Sequence, residues 1–377
     1  MMHQKEKRLC IQQLIHNEKA VDELVVYAQH KFTNKNSTVH TLPKEFIETW
    51  ERYHEEAQTA GAFATLKKYL VQLQFPITKG ISQTEAYKNV TLRGKQKTGT
   101  NFLQLQHPDE IELVLYESPM IGKIPVLIVP NTDDFTTIIC ALANKNEPKA
   151  FPASMGALCI NGLNNWHRIH SLKAAWLQKN PLGNWNEFFK KQVAPKPHLY
   201  KDKIIVLSKK GYSGVQSHEV RMTDAAWKNA SLIIRREHEC AHIFTLQHYG
   251  SMANNMHDEI IADYAGITKV LGRFDKEWFL RFMGLENYPN YRNGGRLQNY
   301  QSPIALSEEA FKGLQMLIYK ISDTLVEFDT ALGNITSAQE HVHRIQSICE
   351  VDMITLASTQ GLETLHKTYN RKKVLTA

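Results

Sequence analysis

One short stretch, 238-HECAH-242, has the residue types and spacing to hold and use a metal ion. Residues four apart on an α-helix share a face, about one turn above each other. His238 and His242 can therefore offer two imidazoles to one cation. Glu239, one step from His238, falls on the flank of that face. There its carboxylate reaches water at the metal without being a ligand. The surrounding run, 225–249, has helical character, as this logic requires.

The next segment, 257-HDEIIADYAG-266, supplies the missing donors. Glu259 lies 17 residues after His242, room enough for a turn and a reversal of direction. A second helix packed antiparallel to the first can aim Glu259 at the same ion. Asp263, at i+4 from Glu259, shares its face. It can accept a hydrogen bond from the free ring nitrogen of a ligand histidine and so fix its tautomer. Gly266, further along, permits close helix–helix approach. Asp258 and His257 are local competitors for the third ligand position. The apolar Ile260, Ile261 and Ala262 argue against a merely solvated acidic face.

HECAH followed by EIIAD-x-x-G is similar to the gluzincin group of zinc metallopeptidases, with its thermolysin-like pattern HExxH…ExxxD. The likeness covers roughly residues 235–266, and the spacer of 16 residues between His242 and Glu259 is shorter than in the thermolysin-like pattern. The resemblance implies Zn2+ bound by His238, His242 and Glu259, Glu239 as general base, and Asp263 behind a ligand histidine. It also implies a twisted sheet ahead of the active-site helix, and a peptide or protein substrate. Three protein ligands leave a fourth position for water, whose pKa zinc lowers toward ~7. Glu239 takes the proton as water attacks a carbonyl and passes it to the leaving amine. The developing oxyanion needs a donor beside the metal. Tyr249, His257, His341, His343 and Arg296 are the candidates.

Other features read as structural. His167 and His170, at i,i+3, read as a surface pair flanking Trp166, with no carboxylate following nearby. Cys240 is expected to pack in the core, facing away from the metal. The fragment 211-GYSGV-215 lacks a full GxSxG elbow and reads as a loop. No phosphate-binding GxxxxGK[ST] loop occurs.

The elements that must position these residues read as an α+β fold: a zincin-like mixed sheet followed by the active-site helix, flanked by helical N- and C-terminal regions. Residues 1–105 form a helical region ending in a linker or exposed loop at 76–109, residues 106–272 the α/β catalytic domain, and residues 273–377 a helical region. Strands are expected at 111–117, 124–129, 156–160 and 204–208, and helices at 134–144, 166–178 and 184–193. Thr223 is a plausible cap for the motif helix and Gly250 its stop. Further helices are expected at about 256–272 and 275–285. After a loop over 288–302 comes a long amphipathic helix through Phe311 and Phe328, then one capped by Ser337.

Composition sets the frame. The chain has 377 residues, 42% of them hydrophobic and 22% charged, which excludes disorder and low-complexity scaffolds. The formal charge of +7 reads as a mild excess spread along the chain, with no nucleic-acid footprint. Five cysteines without a CxxC pair argue for a reducing compartment. No apolar signal-like stretch opens the sequence, and no apolar run approaches the roughly 20 residues a membrane span needs. The expectation is a cytoplasmic metallohydrolase with no nucleic-acid or membrane partner. A catalytically silent zincin-fold binding or scaffolding protein is the alternative, disfavoured because it has no chemical need for Glu239. An all-helical interaction protein with an accidental motif is disfavoured by the strands.

Overall fold

The computed structural model describes residues 2–33, 42–252, 255–301 and 305–374. Ser302, at the end of the loop read over 288–302, lies outside the described residues. The chain divides into two compact units, Thr41–Lys210 and Met1–His40 with Gly211–Ala377. These bounds differ from those drawn at 105/106 and 272/273, and they part the expected 106–272 domain at 210/211. The reason is non-local packing. Gly313 in the helix Glu308–Leu332 sits where a Cβ would meet Leu24 at 2.8 Å and Ile15 at 3.1 Å, so the first helices share a core with the last ones. Local patterning cannot register a core assembled from chain ends some 290 residues apart.

The Thr41–Lys210 unit holds a four-stranded mixed sheet of order β1-β2-β4-β3: β1 Glu112–Ser118, β2 Gly122–Val129, β3 Ala157–Asn164 and β4 Lys201–Ser208. β1 and β2 form an antiparallel hairpin, β2 and β4 run parallel, and β3 pairs antiparallel with β4. The two central strands carry the near-continuous apolar runs 124-IPVLIV-129 and 204-IIVL-207, as strands covered on both faces require. Pro125 precedes the ladder to β4, which starts at Val126, so its missing N–H costs no bond there. The helix Lys44–Ala60 buries Phe46, Trp50, Tyr53 and Ala57 at three- and four-residue spacing in the same core as Ile204 and Val206. One expectation needs correction. Within 76–109, Glu85–Thr91 forms a helix capped by Thr84, with Tyr87, Val90 and Thr91 buried. Tyr87 and Val90 form a small core of their own with Phe75, which the flanking glycines disguise as a loop.

In the other unit every regular element longer than an isolated bridge is helical among the described residues. The motif helix, Asp224–Tyr249, starts where Thr223 Oγ1 accepts from the Ala226 amide and ends at Gly250. The second helix, Met256–Leu271, starts at Asn255, whose Oδ1 accepts from the His257 and Asp258 amides. The two helices pack closely enough that a Cβ on Gly266 would lie 2.8 Å from the Ile234 carbonyl. The close approach expected of Gly266 is therefore present, and only glycine tolerates it. Nearly the whole second helix is buried, its acidic residues Asp258, Glu259 and Asp263 included.

Candidate metal centre

The packing of these two helices brings His238, His242 and Glu259 together, with one potential ligand atom from each lying within 4.8 Å of the others. The two Nε2 atoms are 3.0 Å apart. Glu259 Oε2 lies 3.5 Å from His238 Nε2, and Oε1 lies 3.5 Å from His242 Nε2. Tetrahedral ligands at bond lengths of about 2.0–2.1 Å are separated by about 3.3–3.4 Å, so the triangle has the size of one face of such a site.

The far sides of both rings are fixed. His238 Nδ1 lies 3.0 Å from Asp263 Oδ1, which also accepts from the Tyr212 hydroxyl at 2.6 Å. Asp263 Oδ2 accepts from Arg296. Burial would raise the Asp263 carboxyl, but Arg296 and His238 hold it well below the usual range. An ionised carboxylate only accepts, so the His238 proton sits on Nδ1. His242 Nδ1 likewise faces a carboxylate, Asp258 Oδ2 at 2.9 Å, while Asp258 Oδ1 accepts from Thr245 Oγ1 at 3.0 Å; here burial raises the carboxyl, and the His242 contact works against that rise. In the neutral rings, both bare Nε2 lone pairs then point at each other and at Glu259. Lone pairs and a carboxylate at such distances repel unless a proton or a metal cation stands among them.

Charge leads to the same conclusion. Burial works against charge on His242, yet Asp258 and Glu259 outweigh it and push this imidazole well above its ordinary value. Burial likewise opposes ionisation of Glu259, but His238, His242 and Arg296 bring its carboxyl down to about 2. Three carboxylates (Asp258, Glu259, Asp263) and one guanidinium (Arg296) surround the two rings, an excess of negative charge that a divalent ion balances. Glu259 Oε2 is buried without a hydrogen-bond partner, an orphan acceptor such an ion would satisfy. The residues present therefore fit a divalent metal.

The remaining candidates fall as follows. Glu239 is half-buried on the motif helix, directly after His238, and Cys240 is fully buried. Asp258 is no rival to Glu259: it stands behind His242 as Asp263 stands behind His238. His257 is no ligand competitor either, since its Nε2 donates to the Ile348 carbonyl at 3.0 Å and burial lowers its pKa to about 4. Arg296, one of the five candidate oxyanion donors, clamps Asp263 and donates to Tyr212 Oη at 2.6 Å and Ser213 Oγ at 3.1 Å, with Glu259 Oε2 at 3.9 Å. His341 Nε2 meets Thr268 Oγ1 at 2.8 Å, and His343 is buried on the same helix. Tyr249 is buried beside Phe32 and Phe244. His167 and His170 do not pair: His167 Nδ1 meets the Tyr53 hydroxyl at 2.8 Å, and His170 is exposed.

Three participants escaped the sequence reading. Local spacing marks Asp258 only as a competing ligand. Tyr212 sits in the fragment read as a plain loop, with nothing local to mark it. Tyr300 is held by its carbonyl, which accepts from the Tyr27 hydroxyl at 2.6 Å, while Tyr27 Oη accepts from the Met256 amide at the start of the second helix. Burial, and then Glu259, raises the Tyr300 phenol well above its usual value.

A family described as a family of unknown function (DUF7005) matches residues 9–360. No curated protein and no solved structure matches the chain.

Proposed function

We propose that this chain, which belongs to the DUF7005 family, is a zinc-dependent metallohydrolase cleaving peptide bonds, a reading drawn from the donor set alone. The observation that carries this reading is the convergence of two imidazole Nε2 atoms and one carboxylate, each ring fixed from behind by its own carboxylate. Two histidines and a glutamate at tetrahedral separation are a donor set suited to zinc with an open position. The bound ion would polarise the scissile carbonyl and acidify water. Asp263 and Asp258 keep each Nδ1 protonated and so keep each Nε2 free to bind. Arg296 and Tyr212 hold Asp263 ionised and in place. Glu239 accepts the proton of the attacking water on its carboxylate and delivers it to the leaving amine. A zincin-like arrangement and a cytoplasmic setting belong to the same reading. The latter is supported by the five cysteines, none of them in a disulfide.

The test compares wild type with Glu239→Gln on a mixed peptide library. Wild type cleaves, loses activity to a chelator and regains it with zinc. Glu239→Gln keeps the zinc and loses about 100- to 10,000-fold in rate, the usual weight of a general base. Equal rates in the two proteins would sink the assignment of Glu239. Bound zinc without cleavage by wild type would favour the silent binding module.

A further inference from the structure

We propose that the helical hairpin spanning residues 166–193 docks on the surface of an anionic lipid bilayer. The inference is independent of the metal centre. The hairpin is anchored at both ends: Arg168 pairs with buried Asp202, and Ile169 and Val193 are buried. From His170 through Gln192, however, no residue is buried. That span contains Trp176, Leu182, Trp185, Phe188 and Phe189, large apolar side chains that a soluble hairpin would normally cover.

The rings cluster at the hairpin's free end. Trp176 stacks on Phe188 at 4.8 Å and lies 5.9 Å from Trp185, which lies 5.8 Å from Phe189. The tip is tight, because a Cβ on Gly183 would meet the Trp176 ring at 2.2 Å. Its neighbour Leu182 is thereby left wholly exposed, at 102%. An aliphatic side chain projecting from a half-covered tryptophan cluster matches the chemistry of the bilayer interface, where indole rings settle at headgroup level and an apolar tip enters the acyl boundary.

Charge names the occupant. Residues 41–210 carry 22 Lys/Arg against 15 Asp/Glu, the entire excess of +7, whereas the rest of the chain balances at 23 against 23. The surplus is therefore not spread along the chain, as the sequence reading had it. Between Trp166 and Lys201 there are seven basic residues and a single acid, Glu187. Lys173, Lys179, Lys190, Lys191, Lys196 and Lys201 are all exposed, and Glu187 is paired with Lys191 at 2.7 Å. Lysines around an apolar tip complement a negatively charged lipid surface. A single-stranded nucleic acid would also meet lysines and aromatics, but it needs open ring faces on which to stack. Here the rings pack on one another, and the projecting group is a leucine.

The test is flotation of the full-length protein with vesicles of phosphatidylcholine containing phosphatidylglycerol, and with phosphatidylcholine alone. Wild type floats with the anionic vesicles only, its tryptophan emission shifts to the blue, and added salt releases it. Leu182→Asp weakens partition at least about tenfold, the loss expected for one buried leucine side chain. Lys179→Gln and Lys190→Gln each weaken it roughly fivefold. All three positions are exposed, so far-UV circular dichroism stays unchanged and a folding defect is separable. Equal partition into neutral vesicles, no partition at all, or an unaffected Leu182→Asp would overturn the proposal. So would tight retention of a single-stranded oligonucleotide without vesicle binding.

Discussion

Two buried polar clusters, one in each unit, differ in a way that separates structure from function. In the Thr41–Lys210 unit, Asp202 is fully buried, and each of its oxygens meets a donor. Oδ2 accepts from Trp50 Nε1 at 3.1 Å and Asn165 Nδ2 at 2.7 Å, and Oδ1 accepts from Arg168 Nη1 at 2.5 Å. That network is closed: donors and acceptors are matched within the chain. In the other unit, His238 and His242 bring their Nε2 atoms to 3.0 Å from each other, and Glu259 Oε2 beside them is buried with no hydrogen-bond partner, so the acceptors there are not all matched. A closed network holds helices to strands. An open one, with its imidazoles slightly less buried, suits a cation from outside. Burial of charge alone is thus a poor guide to function, and the balance of donors and acceptors is the better one.

The contrast breaks first at Asp202. Asp202→Asn leaves the Arg168 guanidinium buried against a neutral partner and costs about 3–5 kcal/mol in a denaturant melt. The loss is the same with zinc or with chelator, because the network needs no ion. The second effect runs the opposite way. Zinc at about 1,000 times its dissociation constant stabilises the wild type by about 4 kcal/mol. His238→Ala abolishes that increment, and calorimetry with and without chelator reads it directly.

A buried histidine of the closed kind sharpens the same contrast. His341 meets Thr268, and burial first, then Lys269 and Arg344, lowers its pKa from 6.5 to about 4. The unfolded chain binds the proton more readily between these values, so stability falls as pH drops from 6.5 through 4. The contribution is on the order of 3 kcal/mol. His341→Asn flattens this limb in a pH series of melts and leaves zinc binding alone. Asp258→Asn gives the smallest effect. It removes the acceptor behind His242 and weakens zinc 10- to 100-fold (about 1.4–2.7 kcal/mol) in a competition titration.

What the sequence made legible was local. The caps Thr223 and Ser337, the stop at Gly250 and the close contact at Gly266 all stand where residue type placed them. All four strands stand where they were expected, with individual ends displaced by up to four residues. The pairing of Glu259 with the two imidazoles was readable because helix periodicity and one reversal fix it. Asp258 was misjudged because adjacent carboxylates on one helix look equivalent until the partner helix chooses between them. Tyr212 comes from a turn 26 residues before His238, and Tyr300 is held by Tyr27, 273 residues away in sequence. No periodicity encodes such meetings. The two-unit division was hidden for the same reason, since it depends on the first helices packing against the last.

The central claim is that three side chains from two adjacent helices hold one ion, and zinc titrated calorimetrically into chelator-stripped protein tests it most directly. Wild type should take up one equivalent per chain, and Glu259→Ala, still folded by circular dichroism, should bind far more weakly. Uptake of no zinc by wild type, or equal affinity in Glu259→Ala, would contradict the account.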